Sequence, residues 1–214
     1  MAYVELDLSD TIPDSVRTVI RKGVEPLLQD VHWMLATVIA GPTDTAPRRQ
    51  LQVPIAHTLL ATVAGVSAKL LHAPEKKDTG ERFKECLTRF FPWDVDPPTG
   101  ASKDEAAKIL YEAFRNPLVH YLGLNMARAP AVKIAQILRG TDDAENRVEE
   151  LERLTGKPYS VPCLVVAPEK RVLWLDPFYW GVRKLVERWS RDPDQVLHAD
   201  QKFAIHPSGQ GQAR

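Results

Sequence analysis

Arg115, Asn116 and His120 are the residues of this sequence whose types and spacing could do chemistry, gathered within the stretch R-N-P-L-V-H from Arg115 to His120. An imidazole titrates near neutrality and can take or give a proton at physiological pH. A guanidinium offers a rigid fork of donors that suits a phosphate or carboxylate. Pro117 fixes φ near the helical value and lacks the N–H that a first helical residue leaves unpaired, so the spacing predicts a helix start there. Asn116 is then its N-cap. A cation, an amide and an imidazole would surround a helix N-terminus, where free N–H groups and the macrodipole favour an anion. A plainer reading uses the same residues as punctuation, with Arg115 complementing the end of the preceding helix and His120 packing between helices.

The elements that must position these residues read as mainly helical. Ser102-Lys-Asp-Glu105 is S-x-x-E, a capping box opening a helix over Lys103 to Phe114. Its inner face is Ala106, Ile109, Leu110, Ala113 and Phe114, leading into Arg115. The next helix runs from Pro117 to between Asn125 and Arg128.

Arg, a polar residue, three further residues and His, set between two helices of a small helical protein, resembles the signature of the HEPN superfamily (higher eukaryotes and prokaryotes nucleotide-binding domains). Leu110-Tyr111-x-x-Phe114 before the motif and Tyr121-x-Gly123 after it are similar to its surroundings in bacterial members. The resemblance covers residues 101 to 125. It implies an antiparallel helical bundle and a metal-independent endoribonuclease that needs no cofactor. His120 would take the proton from a ribose 2′-OH and return one to the leaving 5′-oxygen, and Arg115 would stabilise the pentavalent phosphate. Asn116 would hold the imidazole or a phosphate oxygen. The resemblance further implies a homodimer with a composite site, RNA as substrate, and a toxin or phage-defence role with a neutralising protein partner. The alternative of another class is a non-catalytic HEPN-like module that binds a nucleotide or a protein.

Lys and Arg together number 28, as do Asp and Glu, which argues against an indiscriminate nucleic-acid coat. The distribution is uneven: Ala113 to Gly140 holds no acid, while Arg115, Arg128, Lys133 and Arg139 fall within it. Asp142 to Glu152 supplies acids that could neutralise this field in space, and charge patterning leaves both outcomes open. The 214 residues, 44% hydrophobic and 26% charged, fit one globular core. No apolar run is read as approaching the roughly 18 residues of a membrane span, so no membrane is expected. The acidic N-terminal stretch lacks the pattern of an export signal, and Cys86 and Cys163 stand far apart, both in keeping with a cytoplasmic protein. No ligand spacing for a metal is found.

Taken in order, Tyr3 to Leu8 alternates like a half-buried strand. Val16, Val19, Ile20 and Val24 keep helical spacing, with Gly23 and Pro26 predicting a break or kink. Helices follow from Pro26, from near Pro54 to His72, and from Glu81 to Phe91. A short basic helix is predicted from Pro130 through Val132, Ile134, Ile137 and Leu138, and a charged one from Asp143 to Leu154. Two β-rich runs, Val161 to Pro168 and Arg171 to Leu175, form a hairpin, to which the N-terminal stretch could add a strand. Asp176 caps and Pro177 opens a final amphipathic helix. One domain over 1–190 is expected, with the bundle at about 14–140, hairpin and helix at about 160–190, and a polar, flexible tail at 191–214.

Overall fold

Helical segments separated by caps and prolines account for most of the chain in the computed structural model, which describes residues 3–40, 47–72, 78–120, 131–137 and 156–205. At positions 36–40, 47–50, 119, 120 and 205 the description is of the backbone. The elements are α1 (Asp14–Val19), α2 (Glu25–Ala40), α3 (Pro47–Lys69), α4 (Thr79–Phe90), α5 (Lys103–Ile109), α6 (Asn116–His120), β1 (Ala131–Ala135), β2 (Leu164–Ala167), β3 (Lys170–Trp174), α7 (Leu175–Trp189) and α8 (Pro193–Ile205). Two π-helical segments, Ile20–Val24 and Leu110–Arg115, join α1 to α2 and α5 to α6.

α3 is the centre, packed against α2, α4 and α7. Ile55, Leu59, Leu60, Val63, Val66 and Leu70 are buried along it, at the helical spacing that predicts a wide inward face. It begins about two turns before the expected start at Pro54, because positions 47–50 carry no apolar periodicity to mark them. Leu51–Lys69 is also long and apolar enough by composition to cross a membrane, which corrects the expectation that no such run exists. In this fold its buried side chains face protein. α4 places Phe83, Cys86, Leu87 and Phe90 inward, and α7 adds Phe178, Leu185 and Trp189 to the same core.

The capping box of α5 is present in full, Ser102 Oγ accepting from Glu105 N and the Glu105 carboxylate accepting from Ser102 N. The Ser102 N–H and, in a further bond, its hydroxyl both donate to the Glu105 carboxylate and hold it below its ordinary pKa. Asp78 caps α4 in the same way, accepting from Glu81 N at 2.8 Å.

The hairpin forms as expected. β2 and β3 pair antiparallel, Leu164 opposite Leu173 and Ala167 opposite Lys170, and Pro168 and Glu169 make the turn. The third strand is another matter. Ala131–Ala135, within the expected basic helix, is β1 and pairs parallel with β3, giving the sheet order β1-β3-β2. Val132 and Ile134 are buried and Ala131 and Lys133 exposed, the period of two that a strand requires. Tyr3–Leu8 buries Leu6 and Leu8 but joins no ladder. Side chains and a local turn take its amides: Leu6 N donates to Glu25 Oε1 at 3.0 Å, Asp7 N to Glu187 Oε1 at 3.3 Å, and Leu8 N to Leu6 O at 3.0 Å.

α7 starts one residue before the expected cap. Asp176 lies in its first turn, buried, with Oδ2 accepting from Ile137 N at 2.9 Å, so the carboxylate ties the end of β1 to the helix. Residues 193–205, expected within a flexible tail, form α8 instead. Val196 and Ala199 are buried, and Gln195 reaches the end of α3 through His72. Such long-range contacts override a polar local sequence. Residues 206–214, 138–155 and 121–130, which include the expected Asp143 to Leu154 helix and the Tyr121-x-Gly123 flank, lie outside the described residues.

Candidate functional site

Pro117 decides the local structure of R-N-P-L-V-H, though not by starting a helix. Asn116 has φ −64° and ψ −47°, so the helix runs through it and the expected N-cap is not formed. In a regular α-helix the Pro117 ring would meet the carbonyl of Ala113, and the missing N–H would forfeit a bond. The π turn of Leu110–Arg115 widens the helix at this point, and the Asn116 N–H bonds back five residues to Tyr111 O. The break expected near Gly23 and Pro26 is resolved identically: Glu25 N bonds to Ile20 O, five residues back, just ahead of Pro26. The first turn of α6 continues an existing helix, so Arg115 and Asn116 do not sit at an open N-terminus with unpaired amides.

What the turn does provide is a held guanidinium. Arg115 is half-buried, its Nη1 donating to Asn116 Oδ1 at 2.9 Å and its Cζ lying 5.5 Å from the centroid of the Tyr111 ring. Cation–π contact and hydrogen bond together fix the plane of the fork. Among the described residues no carboxylate pairs with it. Tyr111 is itself seated against Phe83, ring centroids 5.5 Å apart, and over Gly80. His120 closes α6, and positions 116 and 120 fall one turn apart on the same helical face. The structure thus brings Arg115 and Asn116 into contact and sets His120 on the same short helix, described at the level of its backbone.

A methyl group at position 80 would lie 2.8 Å from Tyr111 Cζ and 2.9 Å from its hydroxyl. Helix propensity favours alanine over glycine by about 1 kcal/mol, while overpacking costs about 1–3 kcal/mol, so Gly80→Ala is expected to lower stability by about 0–2 kcal/mol. The displaced ring shows instead as a shifted Arg115 Nε–H resonance in NMR spectra. An unmoved resonance would mean that Tyr111 does not position Arg115.

Arg115 lines neither of two surface hollows. One lies between α1 and α8, among Thr11, Ser190 and Asp200. The other runs past Trp93, among Arg89, Lys103 and Arg188. In the second, Arg188 pairs bidentately with Asp94 at 2.6 and 3.0 Å, which holds the Asp94 carboxyl below its ordinary pKa.

A buried polar group that the sequence reading missed lies at the junction of the loop before α5 with β2. Asp96 is fully buried, with Oδ1 2.5 Å from Lys157 Nζ and Oδ2 accepting from Cys163 N at 3.0 Å. Burial, then Asp96, pushes the Cys163 thiol well up. Burial likewise pushes the Cys86 thiol up to about 12. Both cysteines are free and buried, which makes them poor nucleophiles. Nothing in the local sequence marks Asp96, because its partners stand 61 and 67 residues away.

No family model, curated protein or solved structure matches this chain.

Proposed function

We propose that this chain is a metal-independent endoribonuclease of the HEPN type, with Arg115, Asn116 and His120 as its catalytic residues and a second copy of the chain completing the site. The supporting observation is the state of Arg115: half-buried, oriented by Asn116 and Tyr111, and without a carboxylate partner among the described residues. One of its five N–H groups is used on Asn116, and the remainder suit a phosphate. In the proposed reaction His120 removes the 2′-OH proton, the 2′-oxygen attacks the adjacent phosphorus, and the 5′-oxygen leaves with a proton, giving a 2′,3′-cyclic phosphate. The imidazole of the second copy is the natural acid for that last transfer. A toxin or phage-defence role with a neutralising protein partner goes with this reading.

One observation favours the second reading, a non-catalytic nucleotide- or protein-binding module. The helix continues through Asn116, whose amide oxygen is already occupied by Arg115, as a structural junction would have it.

Cleavage of a mixed RNA panel in EDTA separates the two. The purified chain is expected to cleave, leaving 2′,3′-cyclic phosphate ends. His120→Ala should lower the rate by about 10²–10⁴-fold, and Arg115→Ala by about 10²–10³-fold, both variants keeping fold and oligomeric state. Equal rates in all three proteins, or none in any, would turn the assignment to the binding module.

A further inference from the structure

α8 is fastened to the rest of the chain by a joint that contains two histidines. His72, just past the end of α3, and His198, in the middle of α8, stack with ring centroids 3.8 Å apart and planes tilted by 30°. Beside them the buried side chain of Gln195 clamps the backbone of His72 from both sides, its Oε1 accepting from His72 N at 2.7 Å and its Nε2 donating to His72 O at 3.3 Å. Lys202 Nζ donates to Lys69 O at 2.9 Å, and Arg82 Nη2 to Ala68 O at 3.2 Å and Leu71 O at 2.8 Å. Two cations therefore already occupy the electronegative end of α3.

Among the described residues the charges around the stack are of one sign. Lys69 and His72 come from α3 and the residues after it, Arg82 from α4, and Lys202 from α8. The nearby carboxylates are engaged elsewhere: Asp78 on Glu81 N, Glu81 on Lys84, Asp192 on Arg89 and Gln195 N, and Asp200 on Ser15 of α1. Asp194 is exposed in the first turn of α8, and Arg17 of α1 donates to Ser9 O. Among the described residues no acid faces the imidazole pair.

We propose that the stacked His72 and His198 form a proton-operated latch, holding α8 on the end of α3 while His198 is neutral and releasing it when His198 takes up a proton. Beside the stack, whose centroids lie 3.8 Å apart, Arg82 and Lys202 add charge of the same sign, so among the described residues nothing offsets a charge gained by His198. Burial, with His72, Lys202 and Arg82, holds the His198 pKa below its ordinary 6.5. A base whose pKa is lower in the docked state binds fewer protons there, so the docked form is favoured in full above pH 6.5. That preference is lost as pH falls from 6.5 toward the lowered docked value, by up to about tenfold per pH unit for each linked proton. Release uncovers Val196 and Ala199 and the surface of α1 beneath them. The latch is independent of any reaction at Arg115.

Hydrogen exchange of the full chain at pH 7.5 and 5.5, corrected for intrinsic rates, tests it. Amides of α8 should lose several-fold, up to about tenfold, of their protection at pH 5.5 while those of α3 and α4 keep theirs. His198→Phe, which keeps a stacking ring without a titrating nitrogen, should hold α8 protected at both values. Unchanged α8 protection in the natural chain would overturn the latch. So would parallel loss in α3 and α4, or an acid-sensitive α8 in His198→Phe.

Discussion

Asp96→Ala is expected to lower the free energy of unfolding by about 3–5 kcal/mol, the usual cost of breaking a buried ion pair from one side. Urea titration at pH 7 measures it as a lower midpoint. The size of the effect reflects the groups left behind. Asp96 is fully buried, and Lys157, almost as well buried, keeps its ammonium 2.5 Å from the missing carboxylate. Cys163 N, which donates to Asp96 Oδ2, loses that acceptor as well, and an unpaired buried donor costs about 1–3 kcal/mol by itself. Replacing both partners, Asp96→Leu with Lys157→Met, is expected to recover part of the loss, because the buried ammonium goes too. A loss below about 1 kcal/mol in the single variant would mean that water or a neighbour satisfies Lys157.

Gly100→Ala carries the second large effect. Gly100 has φ 76°, a left-handed conformation that costs a residue with a Cβ about 1–2 kcal/mol. A Cβ there would also lie 2.0 Å from the carbonyl oxygen of Val166, and that obstacle is backbone that no rotamer change removes. The loop must move outward, and Thr99 moves with it. Thr99 borders β2, its N donating to Leu164 O at 3.0 Å and its O accepting from Val166 N at 2.8 Å. Displacement costs about 1–3 kcal/mol more. Thermal unfolding should fall accordingly, with amide exchange at Val166 accelerated. Wild-type protection at Val166 would show that the loop relaxes without leaving the strand.

Local signals carried a good part of this fold. Ser102 and Glu105 announce their capping box through residue type and spacing alone, and the helical positions of Ile55 to Leu70 and of Phe83 to Phe90 match their burial. The hairpin was readable because its partners are adjacent in sequence. β1 was not, since its partner β3 lies about 40 residues later in a parallel register, and Val132, Ile134 and Ile137 also satisfy a loose helical spacing. The alternation of Val132 and Ile134 across Lys133 was the available signal. α8 escaped because, of its apolar side chains that are described, only Val196 and Ala199 are buried, and its clamp, Gln195, is polar.

At the candidate site the sequence identified the residues but misjudged the backbone that carries them. Asn before Pro is a good cap wherever a helix begins, and no local rule announces that a π turn will carry the helix through instead. Tyr111 beneath Arg115 was legible only as part of a flank, because its seat is Gly80 on another helix. Asp96 and Lys157 pair across 61 residues and left no pattern to find.

The two π turns bear on how the length of this chain can change. A π turn is a helix that has taken in one residue without disturbing the phase of the turns beyond it, whereas an insertion in a regular helix rotates everything downstream by about 100°. Ile20–Val24 and Leu110–Arg115 are thus places where one residue could be dropped with the bundle still in register. Pro26 and Pro117 stand guard against that loss, since each tolerates the wider turn and would obstruct a regular one. Loss of the extra residue is therefore coupled to loss of the proline, and Arg115 keeps its place over Tyr111 for as long as the pair is inherited together.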